Sequence, residues 1–208
     1  MNVLVIAPHP DDEAIGCGGS VRKHALQRDR VVAVFLTSGE LGLKHLDREK
    51  ACAVREGEAR KAASILGISV SLFLRGPDWE LEAATQETAA GLHPIVAREQ
   101  PSIVYLPHAG EWHPDHRAAV QVLRAALTEE TKSKIVCRGY EVWTPLAEYD
   151  HVEDISDVMA VKMKAIRAHR SQVEQLAYAQ AARGLNAYRG AIAGRCRYAE
   201  VFKNIPLT

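Results

Sequence analysis

Asn2-Val-Leu-Val-Ile-Ala-Pro-His9-Pro-Asp11-Asp12-Glu13 decides how the chain folds. Val3 to Ala7 is a short apolar run rich in β-branched residues, the pattern of a strand buried on both faces. It stops at an imidazole and two adjacent carboxylates, groups that attract a cation or a proton and have no place in an apolar core. The device returns at Ile103-Val-Tyr-Leu-Pro107, which leads into His113-Pro114-Asp115-His116. Two strand ends therefore each deliver potential metal ligands, and together they point to a divalent-metal hydrolase.

Outward from these anchors the chain alternates strand and helix. Val21 to Arg28 reads as a helix preceded by a loop at Gly16-Cys-Gly-Gly19, and Val31 to Leu36 as a second buried strand. Asp47 is placed to cap a helix that runs to Leu66 and stops at Gly67. Ile68 to Leu74 gives a third strand, and Thr85 to Glu99 a helix interrupted by Gly91 and Pro94. Ile103 to Leu106 is strand four, Arg117 to Leu127 a helix and Ile135 to Trp143 strand five. This rotation predicts an α/β protein, a Rossmann-like three-layer fold around a mainly parallel sheet of order about 3-2-1-4-5. Beyond Pro145, Ser156 is placed to cap a long helix through Val173, and a mixed tail runs from Ala191 to Phe202. These form a C-terminal helix-and-strand appendage. No linker-like composition precedes it, so residues 1–208 are read as one domain.

Composition narrows the function. The 208 residues are 47% hydrophobic, enough for a full core, and 26 Lys and Arg balance 26 Asp and Glu. Without a net field, nucleic acid and anionic lipid are poor partners, and a small or weakly charged substrate is the better expectation. Cys17, Cys52, Cys137 and Cys196 are far apart and form no paired motif, which argues for reduced thiols in cytoplasm. A strand pattern follows Met1 directly and no apolar run of about 18 residues occurs, so neither secretion nor membrane insertion is expected.

In an open parallel sheet the ligand crevice lies at the carboxyl ends of the strands where the winding reverses, between strands one and four in the order 3-2-1-4-5. Those strands carry the two motifs, so His9, Asp12 and a histidine of the second motif are expected around one ion. The glycines at 16–19 do not make a dinucleotide loop, because the charged cluster occupies the position directly after the strand.

His9-Pro-Asp-Asp-Glu13 followed by His113-Pro-Asp-His116 resembles the PIG-L / LmbE-like zinc deacetylases, over Asn2 to about Leu127. That family includes the mycothiol and bacillithiol pathway deacetylases and the enzyme that de-N-acetylates glucosaminyl-phosphatidylinositol. The resemblance implies metal ligands at His9, Asp12 and His116, a general base at Asp11 and an electrophilic histidine at His113. It also implies that Arg55 holds a polar substituent of the substrate and that Asp78 accepts sugar hydroxyls. Two imidazoles and a carboxylate suit zinc with one open position, and iron(II) is compatible with the same donors. Asp115 reads either as the residue that orients one of the histidines or as a helix cap, and Glu13 either as a supporting carboxylate or as first-turn helix charge. The chain departs from the mycothiol-type pattern at Glu111, where that pattern has a tyrosine assisting the oxyanion. Trp112 is read as a sugar-facing or a loop-packing ring, and His169 as a residue bordering the pocket or a satisfied histidine at the core edge.

The expected activity is removal of the N-acetyl group from an N-acetylglucosamine-type conjugate, giving acetate and a free amine. The partner would be a small glycoside, with homo-oligomers compatible. Two rivals stand beside it: a metal-dependent phosphoesterase and a non-catalytic sugar-binding protein that keeps its metal for structure.

Overall fold

The computed structural model describes residues 1–207. Its strands are β1 (Asn2–Ala7), β2 (Arg30–Thr37), β3 (Val70–Gly76), β4 (Ile103–Pro107), β5 (Val136–Tyr140), β6 (His151–Asp154) and β7 (Ala199–Asn204). They form one sheet in the order β3-β2-β1-β4-β5-β7-β6, in which the first five are mutually parallel and β7 runs antiparallel to β5 and β6.

Period-two alternation in β1 builds both layers of core. Val3, Val5 and Ala7 face a layer containing α1 (Asp12–Leu26), α2 (Arg48–Leu66) and, from the C-terminal region, α6 (Met159–Ile166). Leu4 and Ile6 face the opposite layer of α3 (Thr85–Glu99) and α4 (Pro114–Ala126). The first of these cores includes Ala14, Val21, Leu66 and Met163, the second Leu92, Val96, Val120 and Leu123. A short α5 (Glu129–Lys132) precedes β5. Asp47 caps α2 by accepting the Lys50 N–H at 2.9 Å, and Gly67 ends that helix at φ +85°.

The structure corrects the expected outline in three places. The glycines at 16–19 lie inside α1, which begins at Asp12, far ahead of Val21. Gly16 and Gly19 are required by packing: a Cβ on Gly16 would stand 2.1 Å from the Tyr140 ring, and one on Gly19 would stand 2.5 Å from Ile155. The expected long C-terminal helix through Val173 is broken into α6 and α7 (Arg170–Val173), Val158, not Ser156, precedes its first turn, and a further helix, α8 (Tyr178–Arg189), follows. Finally, the short antiparallel strand β6 was not anticipated; it pairs with β7, and together they extend the sheet past β5.

A buried ion pair fastens this C-terminal layer to α1. Glu200 on β7 accepts the backbone N–H groups of Gly19 and Ser20, each at 2.8 Å, and meets Lys162 Nζ at 2.7 Å. Satisfying both charges in this way is what makes their burial tolerable.

Candidate metal centre and active site

β1 and β4 are parallel neighbours, with Val3 opposite Ile103 and Val5 opposite Tyr105, so both chains leave the sheet on the same edge. His9, Asp11 and Asp12 occupy the turn from β1 into α1, and His113 to His116 the turn from β4 into α4. Nδ1 of His9, Oδ2 of Asp12 and Nε2 of His116 form a triangle with edges of 3.2 Å (His9–Asp12), 3.2 Å (Asp12–His116) and 3.3 Å (His116–His9). Donors at about 2.0–2.1 Å from a tetrahedral zinc stand about 3.3–3.4 Å apart. The triangle therefore fits one small cation with a fourth position open. His113 borders it, since one nitrogen from each of His9, His113 and His116 falls within 4.8 Å of the others.

The far side of His9 explains its orientation. Its Nε2 lies 3.2 Å from Asp78 Oδ1 and 3.2 Å from Asp115 Oδ2. A proton held there leaves the Nδ1 lone pair for a cation. Burial pulls the His9 pKa down, but Asp115, Asp12 and Asp78 more than reverse this and hold it well above the ordinary imidazole range. Burial likewise pushes Asp12 up, and His116 and His9 overcome that to keep it ionised. A cation arriving at the triangle displaces a proton from this network.

Asp115 is no helix cap. His113 precedes α4 and its Nδ1 accepts the Asp115 N–H at 3.2 Å, which directs the remaining imidazole proton to Nε2. Burial first, then the charges of His9 and His116, lower the His113 pKa to about 4. It is thus a neutral N–H donor facing the pocket. Asp115 spends its carboxylate on His9 and on the backbone N–H groups of Trp79 at 2.7 Å and Leu81 at 3.2 Å.

Asp11 sits at φ +128°, a strained value for a residue with a Cβ. Its N–H donates to Glu13 Oε2 at 3.1 Å, and Arg55 Nη2 lies 3.4 Å from its carboxylate. Burial raises the Asp11 pKa, Arg55 opposes this, Asp12 adds to it, and the result is about 6. The Arg55 guanidinium, in a residue only 3% exposed, also donates to the carbonyls of Pro10 at 2.6 Å and Gly39 at 3.1 Å. Asp78 accepts the Leu41 N–H at 2.9 Å through its other oxygen.

Three residues outside the expected ligands and substrate contacts also shape the site, and of these only Tyr178 went unnoticed in the sequence. His169 lies between α6 and α7, fully buried, with Nε2 3.5 Å from Glu13 Oε1. Glu111, where a tyrosine was the point of comparison, accepts the N–H groups of Val142 at 2.7 Å and Trp143 at 3.0 Å and lies 3.8 Å from His116 Nδ1. Tyr178, at the start of α8, lines the same pocket as Asp11 and His113. Burial raises its pKa, so its hydroxyl keeps its proton. The pocket is about 230 Å³, and Trp79, Trp112, Trp143 and Tyr178 are among its lining residues.

A doubly wound α/β protein with a histidine–aspartate cation seat at the carboxyl ends of its strands is the class that fold and site define. The chain belongs to the PIG-L family: residues 4–127 match the family described as GlcNAc-PI de-N-acetylase. It is 32% identical over 223 residues to the diacetylchitobiose deacetylase of Thermococcus kodakarensis, covering 98% of this chain and 83% of that protein. It is also 32% identical over 188 residues to the probable N-acetyl-alpha-D-glucosaminyl L-malate deacetylase 2 of Bacillus subtilis, covering 83% and 84% of the two chains. Among solved structures it resembles the N,N'-diacetylchitobiose deacetylase from Pyrococcus horikoshii, with a TM-score of 0.83, 29% identity, and 99% and 84% of the two chains covered.

Proposed function

We propose that this chain is a zinc-dependent N-deacetylase that hydrolyses the acetamide of an N-acetylglucosamine-type conjugate to acetate and a free amine. The observation that carries the reading is the triangle of His9, Asp12 and His116 donors, 3.2, 3.2 and 3.3 Å on its edges, opening on a pocket shared with Asp11 and His113. Membership of a deacetylase family supports the same chemistry over a phosphoesterase or a binding module.

When bound, zinc, or iron(II) in its place, would polarise the acetyl carbonyl and make water more acidic. Asp11, beside the ligands and outside the triangle, takes the proton of the attacking water. His113 Nε2–H donates to the acetyl oxygen as charge develops on it, a contribution of about 3–4 kcal/mol for a donor of this kind. The C–N bond then breaks, and the amine leaves with the proton that Asp11 carried. Glu13 holds the Asp11 backbone and Asp115 fixes His9. Asp78 is assigned to a sugar hydroxyl. Arg55 is assigned to holding Asp11 as much as to a polar group of the substrate.

The four thiols are free and no helix among the described residues is long and apolar enough to cross a membrane. With balanced charge, these support a cytoplasmic enzyme acting on a small glycoside. The test is amine release from N-acetylglucosaminides with and without chelator, beside p-nitrophenyl phosphate. Acetamide hydrolysis that stops on chelation supports the reading. Hydrolysis that survives full demetallation, or phosphate release alone, overturns it.

A further inference from the structure

Asp11 is buried at φ +128°, and a residue with a Cβ keeps such a conformation only where its surroundings over-determine it. One restraint is the Glu13 carboxylate, whose Oε2 accepts the Asp11 N–H at 3.1 Å. Its other oxygen, Oε1, meets no hydrogen-bond donor among the described residues. His169 Nε2 faces that oxygen at 3.5 Å, and neither nitrogen of this fully buried ring has a hydrogen-bond partner of its own among the described residues.

A buried carboxylate and imidazole matched only to each other are not needed for stability as such, because well-packed apolar residues of similar volume often serve a core at least as well. What the pair supplies is direction, since it fixes where Glu13 points. His169 is itself fixed. It lies between α6 and α7, and close behind it Ser171 donates its N–H at 2.9 Å and its hydroxyl at 2.7 Å to Glu58 of α2. Arg55, one turn earlier on the same helix, lies 3.4 Å from the Asp11 carboxylate and donates to the Pro10 carbonyl at 2.6 Å. α2 therefore grips Asp11 twice: at its side chain through Arg55, and at its backbone through Glu58, Ser171, His169 and Glu13 in turn.

We propose that His169 is a positioning residue for the reaction: acting through Glu13, it keeps the Asp11 backbone in its strained turn and so aims the Asp11 carboxylate at the attacking water. The inference rests on the deacetylase reading for the task of Asp11, and it adds a residue that lies outside the triangle of cation donors and outside the lining of the pocket. A base displaced by about 1 Å loses on the order of 10²-fold in rate, so a remote imidazole that sets its place has a large effect on turnover.

The test compares kcat, KM and zinc content of the wild-type holoenzyme with those of His169→Leu and His169→Gln on an N-acetylglucosaminide. His169→Leu should keep its zinc and a KM within about twofold of wild type while kcat falls about 10²-fold. His169→Gln, whose amide can still donate to Glu13, should recover to within about tenfold of wild-type kcat. Glu13→Gln added to His169→Leu should cost little more than either change alone, the mark of two groups acting as one unit. Amide hydrogen exchange at Asp11, read in the zinc-loaded protein without substrate, should quicken about tenfold in His169→Leu. This last measurement reports the hold on the turn even in a protein that hydrolyses no acetamide. Wild type that releases no amine overturns the deacetylase reading, whereas unchanged Asp11 exchange overturns this one. A kcat of His169→Leu within about threefold of wild type overturns it too, as do an equal fall in His169→Gln, additive losses in the double variant, or zinc lost in step with activity.

Discussion

The carboxylate of Glu13 and the imidazole of His169 face each other at 3.5 Å with no access to solvent, and the other Glu13 oxygen holds the N–H of Asp11. Burial lowers the His169 pKa, but the facing Glu13 carboxylate, with the charge of Asp11, raises it overall against the opposing charge of Arg55. Its protonation therefore stabilises the fold fully below the unfolded value of about 6.5 and ceases to do so as pH rises through the higher folded value. Denaturant unfolding of wild type and His169→Gln should differ more at pH 6 than at pH 9. A difference that does not change with pH would contradict the pairing.

Asp11→Asn should retain one equivalent of metal by elemental analysis and lose about 10²–10⁴-fold in kcat, because the amide cannot take a proton. Loss of metal together with activity would place Asp11 among the ligands instead.

His113→Ala removes a neutral donor from the pocket without touching the triangle of His9, Asp12 and His116. Its kcat should fall about 10²–10³-fold while KM moves little, the signature of a contact made only as the oxyanion forms. A rise in KM alone would assign His113 to ground-state binding.

Zinc binding should raise the melting temperature in proportion to the logarithm of its free concentration, since the unfolded chain has no preformed triangle. His116→Ala should abolish that rise, and chelation should remove activity that zinc then restores. A melting temperature indifferent to zinc would sink the metal assignment.

Two glycines in helices should respond with opposite signs. Gly16→Ala drives a methyl to 2.1 Å from the Tyr140 ring and should cost about 1–3 kcal/mol. Gly57→Ala, on α2 with nothing within 4 Å of the new Cβ, should add about 0.5–1 kcal/mol through helix propensity. Calorimetry reads each as about 2–4 °C per kcal/mol in a chain of this size.

The parallel half of the fold was legible because β1, β2 and β4 are buried on both faces and read as unbroken apolar runs, with the edge strand β3 marked by Gly67 before it. Strand order brought His9 to a histidine of the second motif, and the family resemblance singled out His116. The helical glycines were not legible: propensity disfavours them, and only the Tyr140 and Ile155 side chains arriving from distant segments explain them. β6 (His-Val-Glu-Asp) is short and none of its residues is fully buried, so no apolar run announces it. The pairing of His169 was hidden for a related reason. It lies where the apolar stripe of α6 ends, and its partner Glu13 lies 156 positions earlier, a pairing no local pattern encodes. Asp11's geometry was equally out of reach, because its strain is imposed by Glu13 and the turn together.

Asp115 serves both His9 and Trp79, and Glu111 stands between His116 and Trp143. Reactivity and selectivity are thus wired through shared anchors, so a lineage or a designer seeking bulkier substrates gains little by moving the loops. Such a move would tug on an imidazole at the reaction centre. Trimming the indoles themselves, with their main-chain tethers left in place, is the change that lets the entrance evolve while the chemistry stays put.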